Sequence, residues 1–254
     1  MGECVKIIPI IALRGMTVLP NTTKYFDISR KKSVAALEAA MLADQKLFLV
    51  AQKSPDVADP SRDQLWDVGT IAEVRQLIKM PGGVVRVMVE GVERAYLVEM
   101  NATEVMLTGD VELAPVKQDM TDDMASEAMM RVLKDKLTEY GEGNVKFARE
   151  KLPQLVMLQD LSELMAETCN EMPWDCTVSQ EILEADCESQ LYEVLIRRLM
   201  NEIEAIHIKQ EFQSKVRVHI DKNQKDYILR EQMRVIRKEL GEDGSSGDAD
   251  TYLE

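Results

Sequence analysis

The sequence predicts an α+β protein: a curled antiparallel β domain, then a helical bundle, then one very long C-terminal helix. Three observations predict it. Short β-branched runs punctuated by turn residues fill the chain up to about residue 117. Apolar residues at helical spacing replace them afterwards. From Trp174 to Leu240 the chain contains neither Gly nor Pro, an interval far longer than the mean helix of about 12 residues.

The β-rich part opens with VKIIPIIAL, apolar and β-branched, in which Pro9 marks an edge position or a strand end. TKYFDI is a second strand, and the Ala/Leu-rich KKSVAALEAAMLAD is the one clear helix of this half. KLFLVAQ, DVGTIAEVRQLIKM, VVRVMVEGVERAYLVEM and EVMLTGDVEL follow as strands. Met80-Pro81-Gly82-Gly83 joins two of them, and Pro before Gly is the pairing a type II turn requires. Val85, Val87 and Val89 point one way and Arg86, Met88 and Glu90 the other, until Gly91 interrupts the alternation and predicts a bulge. Residues 53–67 form a long polar surface loop that Trp66 is expected to anchor.

Beyond residue 117, Thr121 is expected to cap a helix that stops at Gly141. Its apolar rows are Met124, Ala128, Val132 and Met129, Leu133, Leu137. NVKFAREKL is a shorter helix. A single helix is expected from Pro153 to before Pro173, and Thr177 or Ser179 starts the next. A helix over 187–240 would be roughly 80 Å long at 1.5 Å per residue. Its first part carries the stripe Leu191, Leu195, Leu199, Ile203 and Ile206, which suits packing on the preceding helices. From about 209 apolar residues thin to Phe212, Val216, Ile220, Tyr227 and Met233, so this half is expected to project, to pair with another chain, or to dock. The predicted organisation is a β-rich domain over 1–117, a helical bundle over 118–186, the long projecting helix over 187–241, and a flexible acidic tail over 242–254.

With 45% hydrophobic and 30% charged residues the composition is core-forming rather than disordered. Aromatics are scarce at 5% and Met plentiful at 16, so most Met are read as helix-core filler with some available for a tolerant binding surface. The net charge of −14 argues against nucleic acid or an anionic membrane as the main partner. Residues 209–240 nevertheless hold nine Lys/Arg against five Asp/Glu, a local +4. The four cysteines (4, 169, 176 and 187) form no CxxC pair and suggest a reducing, cytoplasmic setting. His207 and His219 are twelve apart, about 18 Å along a helix, so they share no metal. The opening MGECVKIIPIIALRG lacks the basic and apolar regions of a signal peptide, and no apolar run approaches the ~20 residues of a membrane span. GxxxxGK[ST], GxSxG and HExxH are absent and no carboxylate pair stands out, so the chain is expected to be non-catalytic, with no cofactor and no metal of its own.

Four stretches carry a resemblance. IPIIALRGMTVLPNTTKYFDISRKKSVAALEAAM (8–41), QKSPDVADPSRDQLWDVGTIAEV (52–74), VMVEGVERAYL (87–97) and KNQKDYILREQMRVIRKELGED (222–243) resemble, in order, the amino-terminal region of ATP-dependent Lon proteases of the LonA type. The resemblance implies a PUA-like β domain followed by helices. It also implies a parent enzyme, a homohexameric serine endopeptidase in which an AAA+ module, using ATP and Mg, and a Ser-Lys protease domain follow this region. A bacterial, cytoplasmic origin is expected. The implied role is recognition and delivery of unfolded or damaged polypeptides, helped by assembly with other Lon subunits. A nucleic-acid-binding PUA-like module and a pure oligomerisation element are the alternatives. The candidate substrate contacts are Met80, Pro81 and Val84 at the hairpin tip, and Tyr227, Ile228 and Met233 on the long helix. For each, packing within its own domain is the competing role.

Overall fold

The structure is a computed structural model that describes residues 6–239. The tail over 242–254 therefore lies outside the described residues. The chain divides into two compact units, Met1–Asn201 and Glu202–Glu254.

The first unit begins with six strands: β1 (Lys6–Leu13), β2 (Thr23–Ile28), β3 (Lys46–Ala51), β4 (Val68–Lys79), β5 (Val85–Ala102) and β6 (Leu107–Leu113). Helix α1 (Lys31–Leu42) lies between β2 and β3 in sequence. The strand order is β2-β5-β4-β3-β1-β6, and a further β5–β6 pairing closes β5, β4, β3, β1 and β6 into a ring. Closure depends on the length of β5, 18 residues. Its first half pairs with β2 and its second half with β6. Four of the ring pairings are antiparallel, but β1 and β3 run parallel, with Ile10 opposite Phe48 and Leu13 opposite Ala51. The sheet is thus mixed where antiparallel pairing was expected throughout. Where they pair, residues 10–13 and 48–51 are continuous apolar runs buried on both faces. Ile11, Leu13, Leu47 and Leu49 pack with Ala36, Leu37 and Ala40 of α1, while Ile10, Ala12, Phe48 and Val50 pack in a second core with Leu65, Ile71 and Leu97.

Pro9 is neither on an edge strand nor at a strand end: it pairs with Thr108 of β6 inside β1. The parallel pairing with β3 starts one residue later, at Ile10, so the missing N–H falls where β3 is not yet a neighbour. Gly91 marks the bulge that broken alternation predicts, since Ile71 pairs with Glu93 and Ala72 with Gly91, leaving Val92 extra. The absence of a side chain is required there. A Cβ on Gly91 would stand 2.2 Å from the Leu19 carbonyl oxygen, because the Leu19–Thr22 turn docks on this backbone through Asn21 N–H to Gly91 O (2.8 Å) and Gly91 N–H to Thr22 O (2.9 Å). The long loop is anchored chiefly by Leu65, which is wholly buried. Trp66 is half-buried against the second core with the Lys53 ammonium 5.8 Å from its ring centre.

Seven helices complete the described chain: α1, α2 (Asp123–Gly143), α3 (Val145–Glu150), α4 (Leu152–Met157), α5 (Leu161–Glu171), α6 (Cys176–Glu184) and α7 (Glu188–Glu239). Carboxylates and one amide do the capping. Asp122 accepts from Met124 N–H, Asn144 from Phe147 N–H, Asp160 from Glu163 N–H and Asp175 from Val178 N–H. Thr121, Thr177 and Ser179 therefore give way to Asp122 and Asp175, whose acceptors carry charge and suit the positive helix end. Asp160 also splits the expected single helix from Pro153 into α4 and α5. Helix α2 runs past Gly141 to Gly143 and buries Leu133, Leu137 and Tyr140, whereas Met124 is 81% exposed and Val132 is exposed as well. Along α7, Leu195, Leu199 and Ile203 are buried as the stripe predicts.

Candidate functional site

Residues of the β domain and of the bundle meet around one buried cation. Arg94 follows the Gly91 bulge on β5 and has 4% of its side chain exposed. Its Nε donates to Leu183 O (2.6 Å) and Nη1 to Ala114 O (2.7 Å). Nη2 donates to Asp186 Oδ1 (2.7 Å) and reaches Glu184 O (3.3 Å). Two of these acceptors are free carbonyls at the C-terminal end of α6, where the helix dipole is negative. Tyr96, on the same face of β5, donates its hydroxyl to Asp186 at 2.5 Å. The Tyr96 hydroxyl and the Arg94 guanidinium hold the Asp186 carboxyl below its usual range, while that carboxylate and burial push the Tyr96 phenol up. Gln180 of α6 ties the same elements deeper in: it donates to Val68 O of β4 (3.1 Å) and accepts from Thr17 (3.3 Å). Lys117 pairs with Cys187 as a short parallel bridge that leads into α7.

Beside Arg94 lies a cavity of about 220 Å³, lined chiefly by apolar side chains including Leu19, Val116, Met165, Ile182 and Leu191. Cys169 also lines it, and burial pushes that thiol up to about 12, so it is a packing group rather than a nucleophile. Among the described residues no group of three or more His, Cys, Asp or Glu is placed to hold a metal ion, and no helix is long and apolar enough to cross a membrane.

The six residues singled out from sequence fall into two groups, one in each unit. Met80, Pro81 and Val84 come together at the β4–β5 tip, closed by Met80 N–H to Val84 O at 2.8 Å. Gly82, at φ 84° and ψ 11°, takes the third position of the expected type II turn. Met80 and Pro81 are exposed; Val84 is half-buried, next to the buried Val85. In the second unit Tyr227 is 70% exposed, with Ile228 and Met233 also open. Tyr227 and Ile228 share a shallow recess on α7 with Val235 and Ile236, whereas Met233 lies with Leu229 in another. Reasoning from sequence did not find Arg94 as a buried hub, although the Val-Glu-Gly-x-x-Arg stretch contains it. Its partners include main-chain carbonyls 20, 89 and 90 residues away, which residue identity does not encode.

Residues 7–201 match the family described as the ATP-dependent protease La (LON) substrate-binding domain. Among curated proteins, the chain is similar to the Lon protease of Lachnoclostridium phytofermentans (38% identical over all of this chain and 31% of that protein). It is also similar to Lon protease 1 of Bacillus subtilis (34% identical over 99% of this chain and 32% of that protein). The chain thus spans about a third of the length of these relatives. Two solved structures share the fold. The N-terminal domain of a Mycobacterium avium complex Lon protease aligns with TM-score 0.58 at 20% identity, over 78% of this chain and 98% of its own. A Lon N-terminal domain protein from Xanthomonas campestris gives TM-score 0.53 at 12% identity, over 76% of this chain and 98% of its own.

Proposed function

The chain belongs to the family of Lon substrate-binding domains, and on that premise we propose that it captures unfolded or damaged polypeptides through exposed apolar surface. The observation that carries this reading is the stretch Ile208–Ile236 of α7. There Phe212, Tyr227, Leu229 and Met233 are each more than half exposed, and Val216, Ile220, Val235 and Ile236 are exposed too. Exposed apolar area on this scale marks an interaction surface. Shallow, Met-containing patches of this kind suit partners that share apolar character rather than a sequence. The hairpin tip of Met80, Pro81 and Val84 supplies a second such patch in the first unit. In this reading each contact is weak and several copies raise the effective affinity, so assembly with further Lon subunits into a homohexamer belongs to the same proposal. The chain would serve a cytoplasmic ATP-dependent serine protease, with ATP and Mg bound and peptide bonds cut by modules other than this chain.

The test is binding of a fluorescently labelled, reduced and carboxymethylated model protein, read by anisotropy. Met80→Asp and Tyr227→Asp are each expected to weaken binding severalfold while circular dichroism stays unchanged. Unaltered affinity in both variants rejects these contacts, and no binding by the parent chain rejects the capture role.

A further inference from the structure

Strand β2 ends the strand order and pairs with β5 alone. Among the described residues no main-chain group of Thr23–Ile28 has a hydrogen-bond partner on the side away from β5. The strand is also open to solvent: Thr23, Lys24, Tyr25 and Asp27 are exposed, and Tyr25 is 65% accessible. A row of unpaired N–H and C=O groups at β spacing is matched by one chemistry, another extended backbone. The surrounding side chains narrow the choice. Phe26 and Ile28 pack into the α1 core and Lys24 shares their face, opposite the wholly buried Val89. The other face presents Tyr25 beside Met88 of β5, with Ile78 of β4 exposed one step further along. Asp27 is already neutralised by a two-pronged pair with Arg86 (2.7 and 2.9 Å), whereas Lys24 has no ion pair among the described residues.

We propose that the free edge of β2 binds an extended segment of unfolded polypeptide by strand addition, preferring an apolar residue against Tyr25 and an acidic one against Lys24. This rests on the capture role proposed above and gives it a mode: main-chain pairing supplies sequence tolerance, and alternate side chains supply a bias. Lys24 also explains how such an edge avoids indiscriminate sticking, because an apolar or basic residue set against its ammonium is disfavoured.

The test uses the full chain and a capped, labelled ten-residue peptide alternating Val with Ser and carrying one central Glu. A second peptide carries Lys instead, and a third is N-methylated at its four central amides. Expected results are binding of the Glu peptide, at least tenfold loss on N-methylation, and a reversed Glu-over-Lys preference in Lys24→Glu. Tyr25→Asp should weaken the Glu peptide severalfold. If the carboxymethylated protein binds but N-methylation and Lys24→Glu change nothing, strand addition is overturned and capture by apolar patches stands. If neither probe binds, both readings fall. If light scattering shows the chain to be a dimer that Lys24→Glu dissociates, the occupant is a second copy and the proposal is overturned.

Discussion

The Arg94 junction and the distal half of α7 handle their difficult groups in opposite ways. At the junction a cation is buried, and each of its three guanidinium nitrogens finds a carbonyl, hydroxyl or carboxylate oxygen. Along Ile208–Ile236 large apolar side chains are left in water. Burying a charge is costly unless it is fully paired, so the junction is a place where the fold tolerates no change. Exposing apolar groups costs the fold little once nothing packs on them, so the distal helix is where sequence can serve a partner. On the function proposed above, stability belongs to one region and interaction to the other.

The sharpest way to break this comparison is Arg94→Ala. It should leave the carbonyls of Ala114 and Leu183 without their donor, at about 1–3 kcal/mol each, and Asp186 with Tyr96 alone, measured by urea unfolding. A loss within the error of the measurement would mean that the hub is incidental. Next comes a neighbouring pair on α2: Leu133→Ala, at a wholly buried position, should cost about 2–5 kcal/mol. Val132→Ala, 45% exposed, should stay within about 0.5 kcal/mol. Gly91→Ala must push the Leu19 carbonyl away and should cost about 1–3 kcal/mol.

The junction also predicts a pH dependence. The folded Asp186 carboxyl is held below its ordinary value by Tyr96 and Arg94. Its stabilising contribution is therefore present above the unfolded value near ~3.9 and is lost as pH falls through the lower folded value. Asp186→Asn should remove that part of the acid limb when thermal unfolding is followed from neutral pH downward; an acid limb identical to the parent's would detach Asp186 from the junction's stability. The smallest effect belongs to the distal helix. Tyr227→Ser should shift stability by no more than about 0.5 kcal/mol while lowering affinity for unfolded protein. A large stability loss there would overturn the division of labour.

Much of this was legible from the sequence because it depends on local chemistry. The six strands, α1, the left-handed Gly82 at the β4–β5 tip, the bulge at Gly91 and the uninterrupted α7 follow from periodicity and from where Gly and Pro can sit. The exposure of Tyr227, Ile228 and Met233 follows from a helix with too few apolar residues to be sealed. Capping was misread where Thr or Ser stood near an Asp, since only the actual turn geometry decides which oxygen reaches the free N–H groups. The single helix expected from Pro153 broke at Asp160 for the same reason.

What the sequence determined by itself is the order of elements and the apolar faces they carry, because backbone propensity and side-chain period act over a few residues. Tertiary structure alone decided the parallel β1–β3 pair, the closure of the ring by β5 and β6, the place of β2 at the end of the strand order, and the partners of Arg94. Each depends on backbone groups far apart in the chain, and every residue's N–H and C=O look alike until the fold brings particular ones together.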